Sequence, residues 1–232
     1  ALVRANRVVV LHPPAALDAD IAVIVLPADP ETHHPVGLSD PAQDLFTGLL
    51  RLGDNSLILG HRVSEWCGHA PVLEEDIALA NMALDLIGQT QLWLGLAAEV
   101  EGAGRDADAL AFRRDAWDFC NILLVERPNG DFGQTLMRQF LFDAWHAPML
   151  KALEASKDAR IAEIAVKAGK EVAYHIERSA DLVIRLGDGT DESHTRMQKS
   201  LDVLWGYTGE MFIGDATDAR LAEAGIMPAP ES

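Results

Sequence analysis

Cysteine is scarce in this chain of 232 residues, and long apolar runs are missing. The two cysteines, Cys67 and Cys120, form neither a CxxC motif nor a zinc-ligand spacing, which excludes a disulfide-stapled scaffold and a zinc ribbon. Buried free thiols are typical of a reducing compartment, so we expect a cytoplasmic protein. No window reaches the roughly 18 apolar residues of a membrane span. No cleavage pattern follows the N-terminal run VVVL, so we expect no signal peptide.

Basic residues are also few. Lys and Arg number 19 against 36 Asp and Glu, which leaves a formal net charge of −17. Nucleic acids and anionic membranes both select basic surfaces, so we expect the protein to bind neither. The surplus of acid either keeps the protein soluble or suits it to a basic protein partner.

Proline separates the first 40 residues from the rest of the chain. Residues 1–41 contain six prolines and two apolar runs rich in β-branched residues, VVVL and IAVIVL, without a helical period. We therefore expect an irregular, extended segment over 1–40. A helical domain is expected over 41–226, followed by a short tail at 227–232.

The helical domain predicts an all-α fold of about six long helices arranged as an antiparallel bundle, because its long periodic segments are joined by short turns. The predicted helices are 41–66 (with a kink or interruption at 53–55), 74–101, 106–125, 131–156, 158–186 and 190–212, with a short one at 217–224. Glycine-rich turns at 102–104 and 187–189 lack nucleotide-binding spacing and indicate helix ends.

The predicted helix at 74–101 is apolar on most sides. One of its faces is formed by Ile77, Ala80, Leu84, Ile87 and Leu94. A polar stripe of Asn81, Asp85 and Gln89 lies beside it. A helix that is apolar almost all round is usually enclosed by others, so we expect this one to be central and buried.

Two helices each carry an acidic residue and a histidine on one face. Asp143 and His146 are three residues apart in FLFDAWH, and Glu171 and His175 are four apart in KEVAYH. Within these pairs, Asp143 and His175 each lie on an apolar stripe that points inward. In four-helix bundles, two Glu-x-x-His pairs and two further glutamates form two-metal sites, because carboxylates neutralise the cations and imidazole fills a remaining position. The sequence therefore contains at least part of such a site.

The remaining positions of that site are defective. On helix 74–101 the inward Asp85 is followed three residues later by Gly88, which supplies no ligand, and on the first helix Glu65 follows His61 by four. Three interpretations stay open: a working two-metal site, a vestigial polar core in the same place, or unrelated polar residues. We favour a vestigial core, with no catalytic residue and no metal or cofactor in this chain. Its candidate members are Glu65, Asp85, Asp143, His146, Glu171 and His175.

Inward carboxylates without a metal need other partners, because an ionised and unpaired carboxylate is costly in a low-dielectric core. Basic side chains close in sequence are those of His61, Arg62, His175 and Arg178. We expect either these cations or hydrogen-bond donors to satisfy the acids. We also expect alanine at Asp143 or Glu171 to destabilise the fold by a few kcal/mol, since the partner would be stranded.

Five long strings carry a family resemblance. They are LGDNSLILGHRVSEWCGHAPVLEEDIALANMALDLIGQTQ (52–91), LLVERPNGDFGQTLMRQFLFDAWH (123–146), KEVAYHIERS (170–179), RLGDGTDES (185–193) and LWGYTGEMF (204–212). Together they resemble the PaaC family, the C subunit of the multicomponent phenylacetyl-CoA oxygenase (epoxidase). The resemblance covers roughly residues 45–226.

This resemblance implies a ferritin-like helical fold and a structural, non-catalytic role with a degenerate metal site. It implies pairing with a homologous A subunit, which carries the di-iron centre and binds the acyl-CoA. With a reductase and smaller subunits, that complex epoxidises the aromatic ring of phenylacetyl-CoA in aerobic bacteria. Residues 1–40 do not resemble the family's short N-terminus, and family members continue with helical sequence beyond Ile226. We therefore expect a truncated or variant form.

Three hypotheses about function result. The favoured one is a non-catalytic subunit in phenylacetate catabolism that pairs with and organises the A subunit, with iron in that partner. The second is a ferritin-like oxygenase with its own di-iron site, built from the six candidate residues. The third is a homo-oligomeric helical scaffold, formed by self-association.

Overall fold

The structure is a computed structural model that describes residues 2–4, 7–9 and 40–229. Two short strands, Leu2–Arg4 (β1) and Arg7–Val9 (β2), pair antiparallel. The helices are α1 (Asp40–Ser64), α2 (Leu73–Glu101), α3 (Ala107–Phe112), α4 (Leu123–Glu126), α5 (Phe132–Leu153), α6 (Ala159–Gly187), α7 (Asp191–Leu204) and α8 (Ala216–Ala224). Single 3-10 turns lie at Ala116–Asp118, Trp205–Tyr207 and Gly209–Phe212. Most of the predicted irregular segment, including IAVIVL, and the end of the predicted tail lie outside the described residues.

The four long helices form two antiparallel hairpins, α1 with α2 and α5 with α6. The hairpins meet where α2 lies against α6, α7 packs on α5 and α6, and α8 packs on α1. The predicted all-α, ferritin-like bundle is therefore confirmed. The predicted start of α5 is also confirmed, because the Asp131 carboxylate accepts a hydrogen bond from the backbone N–H of Gln134 at 2.9 Å.

Glycine sets the close approach of α1 to α2. A Cβ on Gly53 would lie 2.5 Å from Leu94 Cδ2, and a Cβ on Gly60 would lie 3.2 Å from Leu86 Cβ. The interruption predicted as one possibility at 53–55 is wrong, since α1 continues through these residues. Gly53 is in the helix because Leu94 occupies the space that a side chain would need.

The core consists of two apolar clusters, one at each end of the bundle. One contains Leu59, Leu86 and Phe142, and the other contains Leu49 and Trp93, with their neighbours. Between them lies a band of buried polar side chains that we call the central polar layer. Its members are Asp54, Asn55, Ser56, Gln89, Thr90, Gln139, Asp143, His146, His175 and Ser179, with Asp85 and Glu171 at its edge.

The predicted helix at 106–125 is wrong over most of its length, because the structure replaces it with α3, a 3-10 turn and α4. Side chains of α1 hold this segment. Arg114 forms a two-pronged ion pair with the fully buried Asp54, which also accepts the backbone N–H of Cys120 at 2.9 Å. Asn55 accepts the N–H of Ile122 at 2.8 Å. These backbone donors bond to α1 and therefore cannot extend a helix of their own.

We expect Arg114→Met to lower the free energy of unfolding by about 3–5 kcal/mol, because Asp54 would stay buried without its cation. Urea unfolding measures this. The control is Arg196→Met, which removes an exposed ion pair with Glu192 and should cost less than about 1 kcal/mol. Adding Asp54→Asn to Arg114→Met should recover part of the loss, and a double variant no more stable than the single one would contradict the stranded charge.

Candidate functional site

Asp143 lies at the centre of the polar layer and is fully buried on α5. Gln139 Nε2 donates to its Oδ1 at 2.8 Å, and the Ser179 hydroxyl of α6 donates to its Oδ2 at 3.2 Å. Burial raises the pKa of Asp143 well above its usual range, although these two hydrogen bonds act in the opposite direction. Both donors are neutral, so no cation among these contacts offsets the effect of burial on this carboxyl group.

His146 is buried one turn beyond Asp143 on the same face of α5. Burial, with a smaller contribution from the neighbouring His175, lowers the pKa of His146 to about 3. The imidazole is therefore neutral at pH 7. Its ring lies 4.9 Å from that of Phe142, centroid to centroid, so the apolar cluster next to the layer also holds it.

Two hydrogen bonds join α2 to α6 at the edge of the layer. His175 Nε2 lies 3.0 Å from Asp85 Oδ2, and Gln89 Nε2 donates to Glu171 Oε2 at 3.0 Å. Burial lowers the pKa of His175, although Asp85 and Glu171 act to raise it. A neutral His175 that donates its Nε2 proton to Asp85 leaves Nδ1 as an acceptor.

The layer contains more acceptors than donors. Four of its buried atoms have no hydrogen-bond partner among the described residues: Gln89 Oε1, Gln139 Oε1, His146 Nδ1 and His175 Nδ1. The two amide oxygens accept only, as does the Nδ1 of a His175 that donates from Nε2. An added proton would supply one of the missing donors, and this agrees with the raised pKa of Asp143.

The structure brings five of the six predicted candidates together and excludes one. Asp143, His146, Glu171 and His175 meet where α5 faces α6, and Asp85 joins them from α2. Glu65 is exposed instead, beyond the end of α1, and pairs with Arg62 at 3.0 Å and Asn129 at 2.8 Å. It lies nine residues past Ser56, which is about 13 Å along a helix, and this distance removes it from the layer.

The cations that we expected for the carboxylates are mostly elsewhere. His61 is exposed and stacks on Phe112, Arg62 pairs with Glu65, and Arg178 pairs with Glu75. Only His175 enters the layer, and it is neutral. Of the two expected solutions, Asp143 and Glu171 therefore have hydrogen bonds rather than cations, because amide and hydroxyl groups donate to them.

The arrangement does not fit a metal ion. Among residues 2–4, 7–9 and 40–229, no three His, Cys, Asp or Glu side chains are placed to hold one. Asp143 is hydrogen-bonded to Gln139 and Ser179. Asp85 lies nearer to solvent than His175, to which it is hydrogen-bonded, and Gly88 contributes no ligand. No reaction step through a metal can be derived from these side chains.

Gln139 was missed by the sequence reasoning. It precedes Asp143 by four residues, and a Gln–Asp pair at that spacing on one helix is a recognisable hydrogen-bonding pattern. Ser179 is buried on α6, but nothing in the sequence connects it to a carboxyl on another helix.

The prediction that α2 is central and buried is wrong for its outer side. Ile77 is 54% exposed, Leu84 is 66% exposed and Ile87 is 40% exposed, whereas Leu94 is buried. We call the outward stripe of α2 the α2 face. It consists of Leu73, Ile77, Ala80, Leu84 and Ile87, which are spaced by three and four residues. Among the described residues no helix, α2 included, has the length and apolarity to span a membrane. Exposed apolar stripes such as the α2 face mark interaction surfaces.

The neutral environment of Asp143 predicts opposite outcomes for two substitutions. Asp143→Ala should lower the free energy of unfolding by about 2–4 kcal/mol, because it leaves a cavity and strands the donors of Gln139 and Ser179. Asp143→Asn should stay within about 1 kcal/mol of the wild type at pH 7, because an amide keeps an acceptor and adds the donor that the layer lacks. Denaturant unfolding distinguishes them. If Asn were as damaging as Ala, the site would require an ionised carboxylate.

The buried histidine predicts a loss of stability in acid. An unfolded histidine titrates near pH 6.5, whereas burial holds the folded His146 at a pKa of about 3. Between these two pH values the unfolded chain binds one more proton than the folded chain at this histidine. The stability that comes from burying a neutral His146 is therefore lost as the pH falls below 6.5. Relative to His146→Gln, the wild type should lose about 2 kcal/mol between pH 7.5 and pH 5.

The comparison with a variant is necessary because Asp143 acts in the opposite sense. Its raised pKa favours the folded state at low pH and loses that effect as the pH rises, which partly masks the histidine in the wild type alone. The exposed His69 provides a control, and His69→Gln should keep a constant difference from the wild type across the range. A constant difference for His146→Gln as well would contradict the prediction.

Comparison with known proteins identifies the family. The sequence profile described as phenylacetic acid catabolic protein matches residues 36–232. The chain is 50% identical over 183 residues to the C subunit of 1,2-phenylacetyl-CoA epoxidase from Escherichia coli (strain K12), and the aligned region covers 79% of this chain and 73% of that protein. The chain belongs to the phenylacetic acid catabolic protein family.

Proposed function

We propose that this chain is the structural, non-catalytic C subunit of a bacterial phenylacetyl-CoA epoxidase complex. In this role it binds and organises a homologous A subunit, which carries the iron and performs the oxygenation, in the cytoplasm. The relative in Escherichia coli is named as the C subunit of such an enzyme, and the family takes part in phenylacetic acid catabolism.

The exposed α2 face is the observation that carries this proposal. From Ile77 to Ala98, α2 contains a single charged residue, Asp85, in a chain whose net charge is −17. The outer side of a helix that contacts only water normally carries charged residues. Gly60 of α1 approaches Ile87, and Phe112 stacks on the adjacent His61 and is 68% exposed, so the apolar surface continues from α2 across α1. Stable subunit pairs bury apolar surfaces of this kind.

The central polar layer supports a role without chemistry of its own. Asp143 is bound by Gln139 and Ser179, and Gly88 stands where the second histidine of a paired motif would be. The side chains that remain bond to each other and do not converge on a shared point. We infer that they maintain the register of α2, α5 and α6.

Substitutions on the α2 face test the pairing. The double variant Ile77→Glu/Leu84→Glu should weaken binding to the A subunit at least 100-fold, because two buried apolar side chains are lost and two charges are placed in the interface. The free chain should keep its melting temperature, since both side chains are exposed before binding. Val203→Glu on α7, also exposed, is the matched control and should bind like the wild type.

Metal analysis and sedimentation separate the other functions. The purified chain should contain no stoichiometric iron, and the iron of the complex should remain when His146 is replaced. About two irons per chain, lost in Asp143→Ala, would support an oxygenase site in this subunit instead. A homodimer that dissociates on Leu84→Glu and has no affinity for the A subunit would support the scaffold.

A further inference from the structure

The seam between α2 and α6 is held by three sets of contacts that differ in charge. At one end Arg178 of α6 pairs with Glu75 of α2, and at the other Arg160 of α6 lies 3.7 Å from Glu99 of α2. In the middle of the seam, no arginine of the described residues pairs with a carboxylate. There, Asp85 meets His175 and Glu171 meets Gln89.

The two carboxylates in the middle therefore have only neutral partners within the described chain. Both face His175, whose ring is kept neutral at pH 7 by burial. Gln89 is an amide. Asp85 retains 35% of its side-chain exposure, and Glu171 is also partly exposed, so water now solvates the pair. Neither carboxylate has a cation among the contacts described for it, so both depend on that solvation.

Gly88 leaves a gap next to these carboxylates. It lies one turn beyond Asp85, and apart from its chain neighbours and the adjacent backbone of α2, no atom of the described residues lies within 4 Å of the position that its Cβ would take. Gly95, two turns further on, is open in the same way. From Gln91 onward a groove of about 440 Å³ continues between α2 and α6, with Leu92 and Ile164 in its lining. A side chain from outside can therefore reach the α2 backbone at Gly88.

Docking on the α2 face would cover this part of the seam. Leu84 and Ile87 flank Asp85 and precede Gly88, so a protein that buries them also removes water from Asp85. A carboxylate that loses its water without gaining a cation is strongly destabilising. Complementary charge is the usual solution at interfaces between subunits.

We infer that the catalytic A subunit inserts a basic side chain, arginine or lysine, into the gap over Gly88, where it pairs with Asp85 and Glu171. This inference rests on the proposed function and adds to it the chemistry of the contact. The inserted cation completes the row of cations along the seam, between Arg178 and Arg160. It would also help to set the register of the two subunits, because the cation has to reach Asp85 and Glu171 at one level of the seam.

Binding of the purified A subunit tests the inference. Its dissociation constant is measured by calorimetry at 50 and 500 mM NaCl against the wild type and against Asp85→Asn/Glu171→Gln. The variant should bind at least 30-fold more weakly at 50 mM and should lose most of the salt dependence, because the inserted cation no longer has a carboxylate. The control, Glu192→Gln/Asp202→Asn, removes two exposed charges from α7 and should bind like the wild type.

A second variant tests the gap without changing charge. Gly88→Leu should bind at least 100-fold more weakly, while the melting temperature of the free chain is unchanged or higher, since leucine favours a helix over glycine. This readout does not depend on how Asp85→Asn affects the contact with His175.

The outcomes separate this inference from the proposed function. If Ile77→Glu/Leu84→Glu abolishes binding while the seam variants stay within twofold of the wild type, the inserted cation is refuted and the α2 interface stands. Tighter binding by Asp85→Asn/Glu171→Gln would also refute it. If the A subunit does not bind the wild-type chain, the proposed function fails and the inference fails with it.

Discussion

Hydrogen bonding within the central polar layer is the constraint on which the rest of the structure depends. Apolar clusters lie on both sides of it and offer no partners, so α2, α5 and α6 must satisfy one another at one level of the bundle. The contacts of Asp143 with Ser179 and of Asp85 with His175 set the register of these helices. On α1, Asp54 has the same effect on the segment that follows α2, which it holds through Arg114.

Helix α2 connects this interior to the proposed function. Its inner side packs into both apolar clusters and carries Gln89 in the layer, while its outer side presents Leu84 and Ile87 to solvent. Asp85 and Gly88 lie between the two sides. A change at Gly88 is therefore also a change at the surface where we propose that a partner binds.

The amino-acid pattern predicted the long helices well, because periodicity and capping residues are local. Asp131 begins α5 and Thr190 begins α7, as their side chains indicate. It failed for 106–125, where apolar residues suggested one helix. The backbone of Cys120 is bonded to Asp54, more than sixty residues earlier in the chain, and no local signal reports such a contact.

By itself, the sequence determined the all-α bundle, the inward direction of Asp143, His146 and His175, and the missing ligand at Gly88, because these depend on spacing along one helix. Only the tertiary structure decided which neighbours those groups meet. It placed Glu65 outside the layer, gave Asp143 neutral partners, and left the outer side of α2 uncovered. The physical reason is that burial and hydrogen bonding between helices depend on which helix packs against which. A hydrophobic stripe has the same sequence pattern whether it faces a core or a partner, so the pattern alone does not distinguish the two.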